Sequence, residues 1–137
     1  MSVTAIILGP FEPYRGGIAQ YNSLLALNLE KSGWRVEKVE YYSYLWGQKK
    51  VKSKIGAETE AILSIWNPLS WVQTGVWIAN QAPDVFILKY WTPLFVPMYW
   101  VISKIAKQTS KRVVIVDNVV PHEWFPFSRF LFKRLAA

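Results

Sequence analysis

Val3-Thr4-Ala5-Ile6-Ile7-Leu8-Gly9-Pro10-Phe11-Glu12-Pro13-Tyr14-Arg15-Gly16-Gly17-Ile18 is the stretch on which the fold turns. The run into Leu8 is apolar, as in a strand buried on both faces of a parallel sheet. Gly16 and Gly17 stand where the next helix begins. Glycine lets a second group come close to the backbone, beside N–H groups that no helical carbonyl satisfies and the positive end of a helix dipole. A phosphate or sugar phosphate suits that place. A tight turn packing the helix onto the sheet suits it as well, and composition does not choose between the two. The loop lacks the spacing of a G-x-G-x-x-G fingerprint and the closing Gly-Lys-Ser/Thr of a P-loop.

Working outward, residues 18–32 carry Ile18, Tyr21, Leu25 and Leu29 at three- and four-residue spacing, which predicts a helix stopped by Gly33. Residues 34–42 are rich in β-branched and aromatic side chains and predict a second strand, whose charges place it near an edge. The lysine-rich stretch 47–56 reads as a loop, and residues 61–65 as a short third strand. Asn67-Pro68 starts a helix over 69–81, Pro83-Asp84 ends it, and Val85-Phe86-Ile87-Leu88 makes residues 84–90 another apolar strand. A helix over 93–107, a strand over 112–117 and a helix over 125–137 complete the order. Strands alternating with helices predict an α/β fold: a mostly parallel sheet with helices on both faces, in one domain spanning residues 1–137.

Composition narrows the function. The chain of 137 residues is 52% hydrophobic and 18% charged, which excludes a disordered chain and allows a sizeable core. It has no cysteine, so disulfides and cysteine-ligated zinc are excluded. The formal charge of +7 predicts an anionic partner. Lys49, Lys50, Lys52 and Lys54 form one basic cluster; Lys104, Lys107, Lys111 and Arg112 form a second. With eight tryptophans these suit an anionic membrane surface, while solvated lysines and core tryptophans are the plainer reading. Nucleic acid is not the expected partner, because no helix-turn-helix, zinc-finger or RNA-recognition signature is present. The N-terminus has no basic region ahead of its short apolar run, so no secretory signal is read there. The charge-free stretches 61–83 and 90–103 read as buried helices, since the first holds Asn67, Pro68, Gln73, Asn80 and Gln81, and the second is short and carries Pro93 and Pro97. A cytoplasmic protein, with peripheral contact to the inner face of the membrane, is the expectation.

In open α/β sheets ligands gather beyond the carboxyl ends of the strands. Three loops qualify: 9–17, 90–97 and 117–126. The second, with Trp91, is aromatic enough to line a sugar or lipid groove, or to pack as core. The third holds Asp117, Asn118, the single histidine His122 and Glu123. Asp117 ends a strand, where it either meets ligand or caps the turn. His122-Glu123 is either a loop anchor or a dyad, and Pro126 excludes the zinc-protease pattern.

Taken in order, several of these motifs resemble a known family. They are Pro13-Tyr14-Arg15-Gly16-Gly17-Ile18-Ala19-Gln20-Tyr21 after a strand, the helix stop at Gly33 before Trp34-Arg35-Val36, Asn67-Pro68-Leu69-Ser70-Trp71, Ala82-Pro83-Asp84-Val85, and Asn118-Val119-Val120-Pro121-His122-Glu123. Together they resemble the N-terminal, acceptor-side domain of a family 4 glycosyltransferase of the GT-B fold, and the resemblance spans essentially the whole chain. It implies a Rossmann-like domain of a retaining transferase that moves a sugar from a nucleotide-sugar donor, without a metal, to an acceptor such as a lipid-linked glycan or lipopolysaccharide. It implies that Gly16 and Gly17 approach the donor diphosphate, that Tyr14, Arg15, Trp91, Asn118 and Glu123 meet the acceptor, and that Asp117 and His122 are the catalytic candidates. Two departures stand out. Asp117 occupies a position where the family often has histidine, and no two glutamates with seven residues between them occur here, a pair that belongs to the family's donor-binding domain. The expectation is therefore an incomplete acceptor-side domain, inactive alone, whose C-terminal donor-binding domain is absent. The alternative is a non-enzymatic Rossmann-like module for an anionic ligand or membrane surface.

Overall fold

The computed structural model describes residues 2–12, 16–42, 63–106, 110–117 and 128–137. Four strands form the main sheet: β1 (Thr4–Leu8), β2 (Arg35–Val39), β5 (Val85–Tyr90) and β6 (Lys111–Val116). Their spatial order is β2-β1-β5-β6, and every pairing is parallel. The helices α1 (Gly17–Lys31), α2 (Pro68–Gln81), α3 (Val96–Ala106) and α4 (Ser128–Ala136) alternate with the strands. This is the expected Rossmann-like α/β architecture, with β2 at an edge as its charges suggested.

Side-chain alternation along the strands divides the core in two. Ile6, Leu8, Phe86, Leu88 and Tyr90 point to one face, against Ile78 of α2, Tyr99 and Ile102 of α3 and Leu135 of α4. Ile7 and Ile87 point to the other, against Ala26, Leu25 and Leu29 of α1. Ala5 to Leu8 are all buried, which explains why the sequence there tolerates no charge. On the second face α1 leaves β6 thinly covered, and Val113 stays exposed.

The helix ends follow local chemistry. Asn67 caps α2 by accepting from the Leu69 N–H at 3.1 Å, with Pro68 at the first position, where no N–H is needed. Gly75 lets α2 close on α3: a Cβ there would lie 2.9 Å from Cβ of Ile105. Gly33 takes φ +86° after α1, a left-handed conformation open to glycine at little cost. At the amino edge of the sheet, Oδ2 of Asp84 accepts from the Thr4 N–H at 2.7 Å and the Thr4 hydroxyl at 2.9 Å. These bonds tie the start of β1 to the start of β5, and they hold the Asp84 carboxyl below the ordinary carboxylate range.

Three expectations need correction. The strand expected over 34–42 is two strands: β2 ends at Val39, whose carbonyl accepts the Gly9 N–H at 3.1 Å, and Tyr41–Tyr42 form a separate strand β3. The expected third strand of the sheet is β4 (Leu63–Ser64), which pairs only with β3 in a small two-stranded sheet. The tryptophans read as core divide: of the six described, Trp71, Trp77 and Trp91 are half-buried and pack against the core, Trp34 is half-buried, and Trp66 and Trp100 are exposed. A smaller difference lies before α3, where residues Pro93–Phe95 form a 3₁₀ turn. The 14-residue α2 is too short to cross a bilayer, and among the described residues no helix is long and apolar enough to do so.

Candidate functional site

The chain leaves β1 toward β2 on one side and returns to β5 on the other. Such a reversal of strand order opens a crevice at the carboxyl ends of the two strands, the place where open α/β sheets bind ligands. β1 delivers Gly9 to that edge, β5 delivers Lys89 and Tyr90, and β6 delivers Asp117.

Lys89 is the residue that sequence reading missed. It is one position from the end of β5 and shares the α1 face with Ile87, so a side chain that ordinarily reaches water is directed under α1. Its side chain is 2% exposed, and Nζ lies 2.7 Å from Oδ1 of Asp117. Above the same ammonium stands the Tyr21 ring of α1, with its centroid 3.6 Å from Nζ. A buried lysine without partners would lose several kcal/mol of hydration, on the order of the penalty that drives such groups neutral. A carboxylate and the negative face of an aromatic ring offset that loss here. The register explains the meeting. Lys89 pairs with Ile115 and the Asp117 N–H donates to the Tyr90 carbonyl at 3.1 Å, so Asp117 lies one diagonal step from Lys89 on the same face. The Asp117 side chain is 33% exposed, and no described residue hydrogen-bonds its Oδ2.

Next to this pair, Asn22 of α1 is fully buried and donates from Nδ2 to the Pro10 carbonyl at 2.9 Å, fixing the path of the loop after β1. Its Oδ1 has no hydrogen-bond partner among the described residues. Gly9 makes this approach possible, because a Cβ at that position would sit 2.5 Å from Nδ2 of Asn22 and 3.6 Å from Cβ of Lys89. Ser23 Oγ accepts from the Glu12 N–H at 3.1 Å and holds the loop from a second point. The buried Tyr90 phenol is pushed above its ordinary range by desolvation, so it stays neutral.

Gly16 and Gly17 stand at the start of α1, and no side chain caps that terminus. Gly16 has φ +146°, which its lack of a Cβ permits. A Cβ on either glycine would meet nothing within 4 Å, so neither is required by packing among the described residues. The first turn of α1 therefore carries N–H groups that no described side chain caps.

Of the other residues singled out in the sequence, Trp91 is half-buried beside Phe95, ring centroids 5.2 Å apart, and packs against the core on the α3 side of the sheet. It is not part of the Lys89–Asp117 cluster. Tyr14, Arg15, Asn118, His122 and Glu123 lie outside the described residues, as do Lys49, Lys50, Lys52, Lys54 and Lys107. Among the described residues, no three His, Asp or Glu side chains come together in a group that could hold a metal ion.

A small cleft of about 50 Å³ opens at the opposite, amino edge, between Thr4, Arg35, Glu37 and Pro83. It lacks the buried, paired charges found at the carboxyl edge.

Compared with models of known protein families and with characterised proteins, the chain matches none.

Proposed function

We propose that this chain is the acceptor-side domain of a retaining glycosyltransferase that uses a nucleotide-sugar donor and a glycan or glycolipid acceptor. One observation carries the reading: a buried lysine, an ion-paired aspartate and an exposed tyrosine are gathered at the strand-order reversal of a Rossmann-like sheet. The ordered motifs of the sequence support it, as does the start of α1 at Gly16 and Gly17, which no described side chain caps and where a donor diphosphate would accept backbone hydrogen bonds. In this reading Asp117 orients or deprotonates the acceptor hydroxyl and Lys89 holds the carboxylate in place. His122 is a second candidate for proton handling, with Tyr14, Arg15, Trp91, Asn118 and Glu123 toward the acceptor.

The test uses the 137-residue chain with radiolabelled nucleotide sugars and lipid-linked oligosaccharide acceptors. Acceptor binding without sugar transfer is expected. Robust turnover by the chain alone overturns the acceptor-side assignment, and failure to bind any acceptor overturns the glycosyltransferase reading.

A second reading is peripheral docking on anionic membrane from the cytoplasmic side. The observation that favours it is α2, which has no charged residue and exposes Leu69, Val72 and Val76, with Trp66 just ahead of it. Flotation with vesicles containing about a third anionic lipid should carry the chain upward, and loss of flotation in high salt would assign the attraction to its basic residues.

A further inference from the structure

We infer that Tyr21, Lys89 and Asp117 form a sugar-binding subsite, in which the outer face of the Tyr21 ring stacks on a pyranose and Oδ2 of Asp117, which no described residue hydrogen-bonds, accepts one of its hydroxyls. The inference rests on the glycosyltransferase reading and deepens it by naming residues that the family resemblance does not assign.

Tyr21 is 46% exposed although Lys89 occupies one face of its ring, so its exposure lies on the opposite face and the edge. A cation held beneath the ring also limits its freedom, and a preorganised surface loses less entropy on binding. The Asp117 carboxylate lies close by, because both it and the ring touch the same ammonium. The ligand chemistry follows from these two parts. The aromatic face attracts weakly positive C–H groups, of which a pyranose presents a patch on one side. The ionised carboxylate only accepts hydrogen bonds, so it calls for hydroxyl donors at the rim of that patch. A phosphate meets repulsion from Asp117, whereas Lys89 is too buried to touch any ligand and acts as a positioning residue.

The experiment is a heteronuclear NMR titration of the full chain with the methyl glycosides of glucose, galactose and mannose, with uridine and adenosine as competitors. At least one glycoside is expected to shift the Tyr21 ring and the Asp117 amide along one saturable curve. Tyr21→Phe should keep that affinity, while Tyr21→Leu, which keeps apolar bulk on an exposed site but loses the ring, should lower it at least tenfold. Lys89→Met should lower it similarly with at most a small loss of thermal stability, because the carboxylate is no longer held beside the ring. Glycoside binding unaffected in both Tyr21→Leu and Lys89→Met overturns the subsite and leaves the glycosyltransferase reading standing. Nucleosides displacing the glycosides at Tyr21 overturn the sugar assignment; a chain that binds no glycoside overturns the subsite, and one that also binds no lipid-linked oligosaccharide overturns both readings.

Discussion

Asp84 precedes β5 at the amino edge of the sheet, and Asp117 follows β6 at the carboxyl edge. Both are aspartates at strand ends, yet their surroundings differ in kind. Asp84 uses one oxygen to take two hydrogen bonds from Thr4, and its own N–H returns one to the Thr4 hydroxyl at 3.2 Å. That reciprocal tie joins two neighbouring strands and faces solvent. Asp117 instead neutralises a buried lysine that lies under a tyrosine ring, and no described residue bonds its Oδ2. Joining two strand starts needs no buried charge. Inserting a lysine into an otherwise apolar strand has a desolvation cost, which the Asp117 carboxylate and the Tyr21 ring offset.

The largest effect should come from breaking the carboxyl-edge pair on one side. Asp117→Ala leaves the Lys89 ammonium buried without its counter-charge and should cost about 3 kcal/mol in urea unfolding. Lys89→Met leaves only a half-exposed carboxylate and should cost less than about 1 kcal/mol, so the two variants should differ sharply. Equal losses would mean that the pair is not buried as described.

Gly9→Ala comes next. Its Cβ would collide with Asn22 Nδ2, forcing the Asn22–Pro10 hydrogen bond open, at a cost of about 1–3 kcal/mol by overpacking. Asn22→Ala on top of it should recover part of that loss, and calorimetry of the single and double variants would show whether it does.

At the amino edge the effect is smaller and depends on pH. The folded carboxyl of Asp84 titrates below its unfolded counterpart, so its contribution is fully present above the unfolded value of about 4 and disappears as pH falls through the lower folded value. Asp84→Asn should be less stable than the parent at pH 7, and the difference should shrink as the pH falls below the pKa of the unfolded carboxyl. A constant difference across that range would assign the loss to something other than the carboxylate.

The smallest effect on stability is expected at Gly17→Ala, because a Cβ there meets nothing within 4 Å. A change within about 0.5 kcal/mol in unfolding is expected, the range of surface substitutions that disturb no special feature. Weaker binding of nucleotide sugar by a variant of unchanged stability would place the ligand at this turn.

Much of the fold was legible because its buried strands are written in uninterrupted apolar residues. Ala5 to Leu8 and Phe86 to Leu88 are buried, and helices with their caps fall between them, so the parallel order followed from alternation alone. The break between Val39 and Tyr41 was not legible. Residues 34–42 keep β-type composition throughout, and only the hydrogen bond from Gly9 to Val39 shows where the ladder with β1 ends. The site was half legible. Strand-end position brought out Asp117, but Lys89 was passed over because the apolar run was read only as far as Leu88. The available signal was a single charge in a buried strand, on the same face as an acidic residue one step beyond the next strand. Tyr21 was read as one apolar position of a helix, since nothing local shows that its ring lies over a cation.

We propose that the carboxyl edge binds ligand whereas the amino edge only holds strands together. Titrating acceptor oligosaccharide into the parent chain, Asp117→Asn and Asp84→Asn, with backbone amide shifts followed in each, tests it most directly. The account predicts shifts at Gly9, Lys89 and Asp117 in the parent, their loss in Asp117→Asn, and an unchanged binding curve in Asp84→Asn. Shifts centred on Thr4 and Asp84, or binding that survives in Asp117→Asn and fails in Asp84→Asn, would contradict it.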